Sequence, residues 1–142
     1  MKFLVILLSF LFVDNGCSAS KINQDAISIE YMARSRRTFK HISINKKNIS
    51  IVNKSGDTPS TKPCSEADWK NILKVLKPID VENIPNLNAP SENRFFDGAA
   101  IANLKIIYEG KTYESQSFDH GNPPKEIAQL VKEILSISEN IE

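Results

Sequence analysis

Apolar residues in this chain recur first at every second position, then at every third or fourth, and the same change repeats once more further along. That pattern restricts the fold to a sheet with two helices laid on it. Over residues 26–33, Ile27, Ile29 and Tyr31 alternate with Ser28 and Glu30, the period of a half-buried strand. Residues 38–44 predict a second strand. Asn45-Lys46-Lys47-Asn48 reads as a polar turn, and residues 49–52 return as a short third strand in a meander. Ser65-Glu66-Ala67-Asp68 then offers a capping oxygen with a carboxylate three residues on, the signature of a helix start. Trp69, Ile72, Leu73 and Leu76 form one stripe of that helix, and Pro78 stops it. At this spacing Trp69 belongs to the core rather than to a stacking platform.

The second half repeats the scheme. Residues 79–90 keep no period and predict an ordered loop with one helical turn, and residues 53–63, rich in Ser, Thr, Gly and Pro, predict a flexible stretch. Ala102, Leu104, Ile106 and Tyr108 mark a clear strand, Glu109-Gly110 a tight hairpin, and residues 111–118 an antiparallel return. Asn122-Pro123-Pro124 opens a last helix that runs to about Ser138 and buries Ile127, Leu130, Val131, Ile134 and Ile137. The expected fold is α+β: a two-layer sandwich of an antiparallel sheet of about five strands with two helices on one face, in the order βββ-α-ββ-α.

The first residues carry an address. Lys2 precedes an apolar run over residues 3–13, followed by Asp14-Asn15-Gly16-Cys17-Ser18-Ala19, the charged, greasy and cleavable zones of an export signal. The run falls short of the roughly 20 apolar residues that span a bilayer as a helix. Residues 1–19 therefore read as a signal peptide and residues 20–142 as a single domain of an exported protein, placed in the periplasm or at the cell surface. Cleavage after Gly16 makes Cys17 a lipidated first residue and a membrane anchor, although Asp14 departs from the aliphatic residue such boxes normally carry. Cleavage after Ala19 discards Cys17 instead. Either way Cys64 has no disulfide partner, a Cys17–Cys64 disulfide needing a cleavage site further upstream, and a lone thiol in such a domain is expected to pack as a small hydrophobe.

Charge excludes one class of partner. With 18 Lys and Arg against 17 Asp and Glu, the chain has no net field for nucleic acid, and the densest basic cluster, Arg34-Ser35-Arg36-Arg37, reads as a solvated turn between strands, with contact to phosphate or anionic lipid as the alternative. Asn48-Ile49-Ser50 and Asn53-Lys54-Ser55 match a glycosylation pattern that matters only in a eukaryote.

Chemistry concentrates at one pair of loops. The hairpin at Glu109-Gly110 sets Ala102 beside Phe118, so the segment of Arg94, Phe95, Phe96, Asp97 and Gly98 meets that of Asp119, His120, Gly121 and Asn122. Asp97, Asp119 and His120, with Arg94 close by, are expected to cluster at one end of the sheet. Two carboxylates and an imidazole suffice for a metal or for proton transfer. The structural alternative is turn chemistry at Asp97-Gly98, with His120 bonded to a carbonyl and Phe95, Phe96 and Phe118 packed under the loops. No nucleophile elbow, phosphate-binding glycine loop, zinc set or cofactor motif is present.

Tyr31 in the first strand, the Asp97-Gly98 turn before a strand and Pro123-Pro124 ahead of the final helix together resemble the small uncharacterised lipoprotein-like domains common in Bacteroidota. The resemblance spans most of residues 20–142. It implies the α+β fold and the exported compartment, and it brings no reaction or catalytic residue. The sequence thus predicts a non-enzymatic module that binds an envelope or extracellular protein or a small ligand through its sheet face or loop end. The alternatives are an inhibitor or immunity-type protein that blocks a secreted hydrolase with the same loops, and a metal-assisted hydrolase.

Overall fold

A computed structural model describes residues 23–140. The expected signal peptide and the expected lipidation at Cys17 lie outside the described residues. The strands are β1 (Ser28–Arg34), β2 (Phe39–Asn45), β3 (Asn48–Val52), β4 (Ser60–Pro63), β5 (Ile101–Tyr108), β6 (Lys111–Glu114) and β7 (Phe118–Asp119), and the helices are α1 (Glu66–Leu76) and α2 (Ala128–Glu139). Short 3-10 segments occur at Gln24–Ala26, Val81–Asn86 and Asn93–Phe96. The protein is mixed α and β with a fully antiparallel sheet in the order β4-β3-β2-β1-β5-β6, and β7 pairs with β5.

The register explains why one face is apolar. Ile29 lies between Ile44 and Ile106, and Tyr31 between Ile42 and Leu104, so alternate residues of three neighbouring strands share one side. Their side chains join the buried stripes of both helices in one core that includes Trp69, Ile72, Leu76, Leu130, Val131, Ile134 and Ile137. Ser65 caps α1, its hydroxyl accepting from the Asp68 amide at 3.0 Å. None of the helices among the described residues is long and apolar enough to cross a membrane.

Three expectations need correction. The sheet has seven strands rather than about five, in the order ββββ-α-βββ-α. The first extra strand, β4, lies in the stretch expected to be flexible, where Ser60 to Pro63 pair with Ile51 to Asn48. Its residues are mostly exposed and polar, so the pairing is made by the backbone alone, and Pro63 is tolerated because β4 is an edge strand. The second arises because the returning strand is broken. Between the pairs Lys105–Glu114 and Ala102–Phe118, β5 advances three residues and the returning strand four, so one extra residue is accommodated in a bulge. Ser115 occupies it: its amide donates to the Leu104 carbonyl at 2.9 Å while its hydroxyl accepts from the Leu104 amide at 3.0 Å. The last correction concerns α2, which begins at Ala128 rather than directly after the prolines. Pro124 is buried, and the chain first makes a turn in which the Ile127 amide donates to the Pro124 carbonyl at 3.1 Å.

The hairpin expected at Glu109-Gly110 is present. Tyr108 pairs with Lys111, and both turn residues have positive φ, 49° and 76°, the geometry that matches strand twist. Cys64 is a half-buried free thiol, held above its usual pKa by burial and then by Asp68, with Lys62 opposing.

Candidate functional site

At the end of the sheet where β1 finishes, β5 begins and β7 ends, the expected meeting of the two loops takes place. Ala102 faces Phe118 and Ile101 faces Asp119. Successive side chains of a strand point to opposite sides, so Phe118 enters the core while Asp119 points away from it. The segment 91–94 then closes over Asp119, which is left only 2% exposed.

A buried carboxylate must be satisfied by donors. Asp119 accepts from the Ser91 hydroxyl at 2.6 Å, the Asn93 amide at 2.8 Å, the Arg94 amide at 3.0 Å and Arg94 Nη1 at 3.2 Å. Arg94 is fixed in turn, since its Nε donates to the Ser117 hydroxyl at 3.1 Å and its Nη1 to the Ser91 carbonyl. Asn122 donates to the Ser91 hydroxyl at 2.8 Å, tying the far loop into the same network. Burial alone would push the Asp119 carboxyl up, but the hydrogen bonds from Ser91, from the Arg94 amide and side chain and from the Asn93 amide together pull it down to about 2.

This network shapes the backbone. The Asn93 and Arg94 amides are unpaired donors at the start of the Asn93–Phe96 turn, and the distant Asp119 carboxylate satisfies them where Glu92 offers no side-chain cap. Asp97 closes the turn in the left-handed region at φ 57°, and the Gly98 amide donates to the Asn93 carbonyl at 2.9 Å. The Arg94 guanidinium carbon sits 4.3 Å from the centre of the Phe95 ring.

Of the expected site residues, then, Asp119 and Arg94 are brought together. His120, one position further on, faces the core side, where its Nδ1 lies 2.7 Å from the hydroxyl of the fully buried Tyr31. Burial, and then Lys40, lower the His120 pKa, while burial holds the Tyr31 hydroxyl well above the usual phenol range. Tyr31 keeps its proton, and since Nδ1 is the acceptor this fully buried hydroxyl reaches among the described residues, the bond is assigned as donated by Tyr31, with the neutral imidazole protonated on Nε2. The bond expected to a carbonyl goes to a tyrosine instead. Asp97 is exposed. The expected trio of Asp97, Asp119 and His120 is thus divided among a turn surface, a buried network and the core face.

The aromatic residues also depart from expectation. Phe118 is buried, but Phe95 and Phe96 are 63% and 83% exposed. Together with Ile101 they are the exposed large hydrophobic side chains among the described residues, and all three stand at this end of the molecule. The sequence marks their presence but not their exposure, because Ser91, Asn93, Ser117 and Asn122, which force the turn outward, carry no motif.

The chemistry open to this arrangement is limited. All acceptor sites of Asp119 face donors, so it has none left for a metal or for a proton at neutral pH. No group of three or more His, Cys, Asp or Glu side chains among the described residues is placed to hold a metal ion. What the loops do achieve is to set a hydrogen-bonded turn that leaves Phe95 and Phe96 in solvent. The chain matches no protein-family model, no curated protein and no solved structure.

Proposed function

We propose that this protein is an exported, non-enzymatic binding module of the cell envelope, of the small lipoprotein-like kind its sequence resembles, and that its loop end is the contact surface. One observation carries the reading: the exposed large hydrophobic side chains of the described residues, Phe95, Phe96 and Ile101, gather where the buried Arg94–Asp119 ion pair fixes the backbone. Scattered surface apolar residues need no explanation, but a cluster on a pinned turn is the form of a recognition site. A turn already ordered before contact loses little entropy on binding. The partner is an envelope or extracellular protein or a small ligand, and Cys17, where acylated, keeps the module at a membrane. A photo-reactive residue replacing Phe96 in the native cells is expected to give a discrete covalent adduct that the same residue at exposed Lys74, on the helical side, does not. Equal labelling from the two positions removes the loop end as the contact surface.

The same pinned turn favours a second reading, an inhibitor that seats the Phe95–Phe96 tip in the cleft of a secreted hydrolase. A stoichiometric complex from envelope extract with loss of that hydrolase's activity supports it, and a complex that stays fully active rejects it.

A further inference from the structure

Basic residues share the loop end with the phenylalanines. Arg34 faces Phe39 on one side and Ile101 on the other, and Ile101 faces Asp119, so one row across four strands reads Phe39, Arg34, Ile101, Asp119. Neighbours in such a row are about 5 Å apart. Beyond Arg34 the β1–β2 hairpin projects from the same end, ordered by the Ser35 hydroxyl, which accepts from the Arg37 and Thr38 amides at 3.2 and 3.0 Å. Arg34, Arg36 and Arg37 are exposed and Lys40 is half-buried. Glu92 and Asp97 are the exposed carboxylates that oppose them in the adjoining turn, while Arg94 and Asp119 neutralise each other. Four cations face two anions, on a chain whose whole net charge is only +1.

Resting on the reading of the loop end as the contact surface, we infer that its partner is an anionic phospholipid surface, with Phe95, Phe96 and Ile101 entering the headgroup boundary and Arg34, Arg36 and Arg37 meeting lipid phosphates. The alternation carries the choice of partner. A protein interface sets an apolar centre inside a polar rim. Here exposed Arg34 stands between Phe39 and Ile101 in one row, and Arg36 and Arg37 project from the same end as Phe95 and Phe96, as suits a layered medium where rings go to the acyl boundary and guanidinium groups remain with phosphate. Such a contact is weak by itself and becomes firm when a second signal, such as an acyl chain on Cys17, is added.

The test uses residues 20–142, the domain expected after removal of the signal, within which every core residue among the described residues lies between Ile27 and Ile137. Co-sedimentation with phosphatidylcholine vesicles containing phosphatidylglycerol is compared with pure phosphatidylcholine. Binding is expected to the anionic vesicles alone. Each arginine near such a surface strengthens binding about fivefold, so Arg36→Ser with Arg37→Ser should weaken it about thirtyfold. Phe95→Ser with Phe96→Ser should lose at least about tenfold, by removal of buried apolar area. Both double variants expose no core residue, and unchanged thermal melts confirm their folding. A wild-type chain that ignores both vesicle types, while the reactive group at position 96 still captures a discrete protein in cells, overturns the lipid assignment and spares the contact surface. Vesicle binding that neither double variant weakens overturns the assignment and the contact surface together.

Discussion

Removing the Tyr31 hydroxyl and removing the His120 ring should destabilise the protein unequally, and the inequality tests the buried hydrogen bond between them. Tyr31→Phe deletes a donor from a pair at 2.7 Å, which costs about 1 kcal/mol net. The imidazole is only partly buried, so water can replace the lost donor and the cost stays near that value. His120→Ala strands a hydroxyl on a side chain with no solvent exposure, adding an unmet hydrogen bond of about 1–3 kcal/mol to the lost ring contact. The double variant has neither orphan. It should be less destabilised than the two single losses together, with a coupling of about 1–2 kcal/mol. Urea unfolding at pH 7.5, followed by the fluorescence of the buried Trp69, measures all four corners. The acid side gives an independent check. Because the folded His120 pKa lies below its ordinary value of 6.5, the unfolded chain binds the extra proton first, so this contribution is complete above about 6.5 and shrinks as pH falls through that value toward the folded one. His120→Ala should remove that part of the slope. Equal single losses with a coupling below about 0.3 kcal/mol would refute the Tyr31–His120 hydrogen bond as a stabilising contact.

The remaining predictions concern the turns. Glu109 sits at φ 49° in a two-residue turn that favours Asn-Gly, so Glu109→Asn should stabilise by about 0.5 kcal/mol, and a lower urea midpoint would contradict the turn assignment. Asp119, drawn down to about 2 from 3.8, contributes stability that is complete above 3.8 and lost as pH falls through 2. Asp119→Asn should flatten the unfolding curve in that window and speed hydrogen exchange at the Asn93 and Arg94 amides, and unchanged exchange there would mean that the carboxylate does not hold the turn.

How far the sequence reveals this molecule depends on whether a feature is made by side chains or by the backbone. Three strands of the apolar face, both helical stripes and the Glu109-Gly110 hairpin are patterns of side chains, and period alone finds them. β4 is held by main-chain bonds under Ser, Thr and Lys, which leaves nothing to alternate. The bulge at Ser115 depends on a hydroxyl replacing a carbonyl in a ladder, a choice many serines could make. Its consequence reaches the site, since the extra residue decides which of Phe118 and Asp119 enters the core. Hairpin geometry therefore brings the right loops together, yet it cannot say that Asp119 and His120 part company. Nor does it find Ser91, which lies 28 residues from Asp119 in a segment without period.

The reversal at Phe95 and Phe96 points beyond packing. A chain selected only for stability would bury two phenylalanines and leave an aspartate in water. Here the aspartate is buried and the phenylalanines stand out. Replacing a buried ion pair by apolar side chains of similar volume is often neutral or stabilising, so burial of Asp119 with Arg94 is poorly explained as a source of net stability. What the pair supplies that a hydrophobic replacement cannot is direction. One carboxylate receives two consecutive amides and thereby sets the path of the chain through residues 93–97. An apolar plug would fill the same space and leave those amides to find other partners, releasing the turn. The arrangement is intelligible if selection acts on where Phe95 and Phe96 are held, which is a property of something that touches a partner.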